Sequence, residues 1–258
     1  MSRVGPVGVL VTGASRGIGR AIARAFAEKG DRVAVHYASN REDAERTLGE
    51  LPGSGHGLVQ GDLSDPEVAR RVADEAEALV DGVGVLVNNA AFAPSAASAH
   101  PPAEVSYADW QRIWRRMLDV NVLGTANVTF CVTRHMIERG VPGRVVNIGS
   151  RGAFKGEPDF PAYGASKAAL HSLGQSLAVA LAPHGIAVTS VAPGFTATDR
   201  VAAKLDGASG EVLRGESPFG RVGTPEEVAA AVVYLASAEA TWASGAILDL
   251  NGASHLRM

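Results

Sequence analysis

The chain has a single cysteine, Cys131, among 258 residues. One thiol cannot close an intramolecular disulfide, and seven histidines with no metal-ligand spacing leave no zinc site to read. Apolar runs are short, well below the roughly 20 residues a membrane span needs. The run from Val7 to Val11 is broken at once by Thr12-Gly13, too early for a signal peptide. Charge of either sign is in little excess, with 24 basic residues against 27 acidic ones for a net charge of −3. That excludes the electrostatic footprint of a nucleic-acid or anionic-membrane binder. The expectation is a cytoplasmic protein with a reduced thiol, no metal, no membrane and no nucleic acid.

What the chain does have is glycine, 30 of them, and 46% hydrophobic residues, a globular composition. Short runs rich in Val, Ile and Leu recur at Val7 to Val11, Val33 to Tyr37, Gly57 to Gln60, Val83 to Val87, Arg144 to Ile148, Ile186 to Val191 and Ala246 to Leu250. Their nearly continuous apolar character predicts parallel strands covered on both faces. Helix-length segments lie between them: Gly17 to Lys29, Arg41 to Leu51, Pro66 to Val80, Tyr107 to Glu138, Ala162 to Ala182 and Pro225 to Ala236. The last opens on Thr224 as N-cap, Pro225 and two glutamates, a well-formed helix start. Regular alternation predicts an α/β fold in one domain over residues 1–258, a Rossmann-type doubly wound sheet of about seven parallel strands with helices on both faces. Two long loops are predicted, from Ala91 to Ser106 and from Gly194 to Gly223, the second long enough for a substrate lid.

The turn Thr12-Gly13-Ala14-Ser15-Arg16-Gly17-Ile18-Gly19 follows the first strand and opens the first helix. Glycine spacing alone is a weak signal, because an ordinary strand-to-helix turn is also glycine-rich. With a strand before and a helix after, it predicts a dinucleotide pyrophosphate on the helix N-terminus. An acid at the end of the second strand would select NAD. Here that strand ends at His36-Tyr37, followed by Ala38-Ser39-Asn40-Arg41. Arg16 and Arg41 are candidate contacts for a 2′-phosphate, with Ser39 and Asn40 as hydrogen-bond donors. The alternative is that Arg41 merely begins a solvated helix. NADP(H) is the expected cofactor, preferred over NAD(H).

Tyr163-Gly164-Ala165-Ser166-Lys167 sets a phenol and an ammonium four residues apart, on one face of a predicted helix. Ser150 lies just past the end of the fifth strand, the edge where doubly wound sheets bind ligands. Taken singly, these residues read as a core tyrosine, a capping serine and a surface lysine.

Thr12 to Gly19, Asn88-Asn89-Ala90, Asn121, Ser150, Tyr163 to Lys167, Pro193-Gly194 and the closing Asp249-Leu250-Asn251-Gly252 come in one order across nearly the whole chain. In this the sequence resembles the short-chain dehydrogenase/reductase family, and most of all its 3-oxoacyl-acyl-carrier-protein-reductase-like branch. The resemblance implies reduction of a carbonyl by hydride, with Tyr163, whose ordinary pKa is about 10, as general acid. It implies that Lys167 favours the phenolate and binds the nicotinamide ribose, and that Ser150 stabilises the substrate oxygen. Asn121 would hold a water in a proton relay. Asp62, Leu63, Asn88, Asn89 and Ala90 would line the adenosine side. Ile148, Pro193, Gly194 and Thr196 would lie at the nicotinamide. A homo-oligomer, a tetramer or dimer, is implied through the Tyr163 helix and its predecessor.

The substrate is a small carbonyl or alcohol compound, either a 3-oxoacyl group or another ketone. Arg139, Arg144, Arg151 and Lys155 are candidates for a basic patch that would dock a carrier protein. Ala182-Pro183-His184 departs from the basic residue expected at the end of that helix in carrier-protein reductases. The rival readings are an NAD-dependent alcohol dehydrogenase and a non-catalytic protein that binds a dinucleotide. Cys131 and the pair Trp110 and Trp114 read as packing.

Overall fold

The computed structural model describes residues 5–198 and 207–257. Seven strands, β1 (Gly8–Val11), β2 (Arg32–Tyr37), β3 (Gly57–Gln60), β4 (Val83–Asn88), β5 (Gly143–Ile148), β6 (Ile186–Pro193) and β7 (Ile247–Leu250), form one sheet in the order β3-β2-β1-β4-β5-β6-β7. Every pairing is parallel. The helices are α1 (Gly17–Ala27), α2 (Arg41–Glu50), α3 (Pro66–Leu79), α4 (Tyr107–Leu118), α5 (Thr125–Glu138), α6 (Pro161–Leu181), α7 (Gly207–Gly215) and α8 (Pro225–Leu235).

Side chains alternate across a strand, so one apolar run serves two cores. Val9, Val11, Val33, Val35, Val87 and Val146 pack with α1 and α8, through Ile22, Phe26 and Val232. Leu10, Ala34, Val59, Leu86, Val145 and Val188 face the other way, onto α3, α5 and α6. Ile22 and Phe26 are fully buried, each worth roughly 1.5–3 kcal/mol of transfer free energy. Both faces being covered is why the strands read as unbroken hydrophobic runs.

Strand order reverses between β1 and β4, whose crossovers leave in opposite directions. Their carboxyl ends part and open a crevice at the switch point.

Two segments differ from the sequence reading. Tyr107 to Glu138 is not one regular helix. A π turn over Asp119–Gly124 joins α4 to α5 and carries Asn121, and such a bulge leaves the apolar periodicity intact. Residues 194–223 are not all loop, because α7 lies within them. Its glycines argue against helix by about 1 kcal/mol each, a weak preference that does not decide the conformation here. Positions 199–206 of that segment lie outside the described residues.

Candidate active site

A cleft of about 710 Å³ runs across the carboxyl edge of the sheet, from the end of β2 to the end of β6. At its centre the glycine turn is held from three sides. The Thr12 hydroxyl donates to the Val87 carbonyl at 3.2 Å and accepts from the amides of Asn89 and Ala90 at 2.9 and 3.0 Å. The Asn89 side chain donates to the carbonyls of Thr12 and Gly13, both at 2.9 Å. The third support comes from His36, which the sequence reading passed over. The Gly13 amide donates to His36 Nδ1 at 3.0 Å, so Nε2 carries the proton and donates to the Gly61 carbonyl at 3.0 Å. Burial pushes the His36 pKa down to about 4.

Two glycines here are required by shape. Gly13 sits at φ +63°, where a Cβ would come within 2.8 Å of Ala90 Cα. A Cβ on Gly19 would meet the Gly13 carbonyl oxygen at 2.3 Å. The turn therefore brings bare backbone to the cleft. Arg16, at the α1 N-cap, makes no side-chain capping bond, and no acid occupies the first turn of α1. The leading amides of α1 and its positive dipole end thus face the cleft, a cradle that fits a pyrophosphate.

At the β2 end the cleft is lined by Tyr37, Ser39, Asn40, Asp62 and Leu63. The Asn40 side chain accepts from the Asp43 amide at 3.0 Å and caps α2. Arg41, expected in the cleft, is not among its lining residues. Its guanidinium donates to Glu45 one helical turn on, at 2.7 Å, in solvent. Asp62 accepts from Ser64 and, at 2.8 Å, from Arg116 of α4. Burial works to raise the Asp62 pKa, and these donors outweigh it, holding the carboxyl below its usual range. Asn88 was expected on the adenosine side. It is buried in the sheet instead, donating to Thr129 and Asn147.

At the other end Ile148, Ser150, Tyr163, Lys167, Pro193, Gly194 and Thr196 line one wall. Helix α6 sets Tyr163 and Lys167 on a common face, with the Lys167 Nζ 5.8 Å from the Tyr163 ring centre. Lys167 is 3% exposed and donates to the Ile148 carbonyl at 2.8 Å, which fixes the ammonium beneath the end of β5. The start of α6 is capped by another unforeseen residue. His100, fully buried in the 91–106 segment, accepts from the Ala162 amide at 3.0 Å.

The Asn121 amide is spent within the fold. It accepts from the Phe92 amide at 2.7 Å and donates to Ser166 at 3.0 Å, and Ser166 in turn donates to the Tyr163 carbonyl at 2.8 Å. Its side chain ties the cleft wall to α6 and does not line the cleft. His171, one turn beyond Lys167, is buried against Gly149, where an added Cβ would lie 2.1 Å from its ring. Burial, and then the Lys167 charge, push its pKa down to about 4.

The basic patch does not assemble. Arg139 donates to the Val83 carbonyl and pairs with Glu77, and Arg144 is bonded to Ser237 and Thr241. Val83 and Arg144 belong to the starts of β4 and β5, opposite the cleft. Arg151, 5% exposed, pairs with Glu216 just beyond α7 and donates to Ser254 at 2.8 Å. Lys155 joins the same Glu216 carboxylate at 3.3 Å. Cys131 is half-buried and its thiol is pushed up by burial, so it is no thiolate nucleophile. Among the described residues no group of His, Cys, Asp and Glu is placed to hold a metal ion, and no helix is long and apolar enough to cross a membrane.

Comparison with known proteins agrees with this geometry. Residues 13–255 match the family model described as enoyl-(acyl carrier protein) reductase. The L-rhamnose 1-dehydrogenase (NAD(P)(+)) of a Sphingomonas species is 34% identical over 97% of this chain and 96% of its own. A 3-oxoacyl-acyl-carrier-protein reductase of Aquifex aeolicus is 36% identical over 94% of this chain and 95% of its own. A short-chain dehydrogenase from Burkholderia cenocepacia, solved in complex with NADP, superposes with a TM-score of 0.85 at 31% identity, covering 98% of this chain and 99% of that one. The chain belongs to the short-chain dehydrogenase/reductase family, oxidoreductases acting on CH–OH and C=O groups.

Proposed function

We propose that the protein is an NADPH-dependent carbonyl reductase, reversible as an alcohol dehydrogenase, with Tyr163 as its general acid. The observation that carries this is the placement of Lys167, locked on the Ile148 carbonyl beside the Tyr163 ring, in a cleft that also holds Ser150 and a bare helix N-terminus. Bound NADP(H) supplies the hydride. The α1 amides and the Thr12-to-Gly19 turn would hold its pyrophosphate, and Arg16 and Ser39, which line the cleft, would take the 2′-phosphate. Arg41, outside the cleft lining and paired with Glu45 through Nε, would contribute less. Asp62, which follows β3, is bonded to Arg116, and no acid directly follows Tyr37 to select NAD.

Tyr163 gives its phenolic proton to the substrate oxygen as negative charge develops there. The Lys167 ammonium favours the resulting phenolate, and the Ser150 hydroxyl donates to the same oxygen. Asn121 is a positioning residue, acting on Tyr163 through Ser166. Glu216, just beyond α7, holds Arg151, which lines the cleft next to Ser150. The same reading carries a cytoplasmic enzyme and a homodimer or tetramer through α5 and α6. Phe130 and Val179 stand 66% and 79% exposed on those helices, and the mass in solution by sedimentation decides it.

The test is NADPH oxidation over a panel of acyl thioesters, quinones, sugars and simple ketones, with wild type and Tyr163→Phe in parallel. Loss of the phenol is expected to lower kcat by roughly 10²–10⁴-fold with NADPH affinity unchanged. Turnover retained with weakened cofactor binding overturns the assignment.

A further inference from the structure

Beyond Ser150 the cleft wall carries two charged side chains that the reaction does not use, Arg151 and Glu157. Glu157 lines the cleft together with Ser150, Phe160 and Tyr163. Its side chain lies across two glycines, each next to or close behind a catalytic residue. A Cβ on Gly152 would sit 2.5 Å from Glu157 Oε1, and one on Gly164 would sit 3.8 Å from its Cγ. The space for this carboxylate therefore exists because residue 152 carries no side chain, and a Cβ at 164 would only touch its stem in ordinary van der Waals contact. Nearby cations do not take it. Arg151 is committed to Glu216 and Ser254, and Lys155 to Glu216. Among the described residues the Glu157 carboxylate has no hydrogen-bond or ion-pair partner, in contrast to Asp62 and Glu216.

We propose that Glu157 is a specificity residue that accepts a hydrogen bond from a hydroxyl group of the substrate, so that the cleft selects hydroxylated carbonyl compounds over plain acyl chains. The inference rests on the carbonyl-reductase reading of the same site. A half-buried carboxylate loses more water when substrate enters, and that loss is offset only by a donor on the substrate. Burial already raises the Glu157 pKa against the lowering effect of Arg151 and Lys155. The donor is a neutral hydroxyl rather than an ammonium. Arg151 and Lys155 lower the Glu157 pKa while Glu216 and Asp159 raise it, so the carboxylate sits in a mixed field, and a neutral hydroxyl satisfies it without bringing a further charge out of water. A methylene chain laid here would leave the carboxylate unpaired against hydrocarbon.

The experiment measures kcat/KM of wild type, Glu157→Gln and Glu157→Ala with NADPH on matched pairs. These are hydroxyacetone with acetone, 4-hydroxy-2-butanone with 2-butanone, and 4-hydroxycyclohexanone with cyclohexanone, a series that moves the hydroxyl outward from the carbonyl. Wild type is expected to favour at least one hydroxylated member by roughly ten- to a hundredfold over its partner, the effect of leaving one such group unpaired. In Glu157→Ala that ratio falls towards one, and in Glu157→Gln, whose amide oxygen still accepts but carries no charge, it falls part of the way. Because the ratio is internal to each protein, general damage to the fold does not produce the shift. A wild-type ratio near one in every pair, or a ratio that survives both substitutions, overturns the proposal. If wild type binds NADPH yet reduces no member of any pair, nor any carbonyl of the wider panel, the reductase reading itself fails and this inference with it.

Discussion

Lowering the pH strikes this protein at two buried histidines, and the effect at His36 follows from its two hydrogen bonds. Nδ1 must be bare to accept from the Gly13 amide, while Nε2–H serves the Gly61 carbonyl. Protonation puts a hydrogen on Nδ1, facing the Gly13 N–H, in a site 1% exposed. The folded pKa is about 4 against an ordinary 6.5. The folded state therefore binds fewer protons than the unfolded chain between those values, and stability falls as the pH drops through that window. Integrated from pH 7 to pH 5, one such histidine removes about 2 kcal/mol. His171, also lowered to about 4, adds a loss of the same sign and similar size.

The His36 share is isolated by His36→Asn, whose side-chain oxygen still accepts from Gly13 but cannot titrate. At pH 7 the variant gives up the bond to Gly61 and is expected to be about 1–3 kcal/mol less stable. By pH 5 the wild type has lost its additional 2 kcal/mol or so, and the two unfolding curves converge. Urea unfolding at pH 7, 6 and 5 reads this directly, and by melting temperature the relative shift is about 4–8 °C. Parallel pH profiles for the two proteins would refute the assignment of the tautomer and of the acid sensitivity together.

Removing the Glu216 carboxylate as Glu216→Ala leaves Arg151 buried beside Lys155 without its partner. A loss of about 3–5 kcal/mol is the range for breaking such a pair, and partial exposure of Glu216 places the expectation at its lower end. Denaturant titration checks the stability, and a raised KM for the carbonyl substrate is the expected kinetic sign of an Arg151 released beside Ser150. At the other end of the cleft, Arg16→Ala is expected to weaken NADPH at least tenfold more than NADH, while Arg41→Ala, already paired with Glu45, changes the ratio less. Cofactor titrations by fluorescence decide it, and equal losses of both cofactors in Arg16→Ala would contradict a 2′-phosphate contact.

The sheet was legible because its covering on both faces leaves a plain trace, and β3 runs over Gly57–Gln60 as its apolar run predicts. Strand β6 continues two residues past its predicted end because Pro193 and Ala192 still pair with β7 at the cleft edge. The π turn at Asn121 was not legible, since one added residue in a helix leaves hydrophobic spacing nearly untouched. Arg41 is a different kind of miss. Its Glu45 partner stands at the i+4 spacing of a helical ion pair, a signal present in the sequence and outweighed by the expectation of a phosphate contact.

The two ends of the cleft differ in how their chemistry is encoded, and this sets what sequence can reveal. The cofactor end is made largely of backbone. Its amides need glycine at fixed positions within eight consecutive residues, from Thr12 to Gly19, so a short motif is nearly a description of the site. Even there the supporting contact, Gly13 to His36, joins residues 23 apart and stayed hidden. The substrate end is made of side chains meeting across the fold. Arg151 finds Glu216 65 residues away and Ser254 103 residues away, and those two contacts are what leave Glu157 unpaired. No local spacing rule connects such residues, because their proximity is a product of the sheet order rather than of any one element. Reaction type is thus written in local geometry that the fold must preserve. Substrate choice depends on which charges remain uncompensated after the chain has closed on itself, and only the folded structure performs that subtraction.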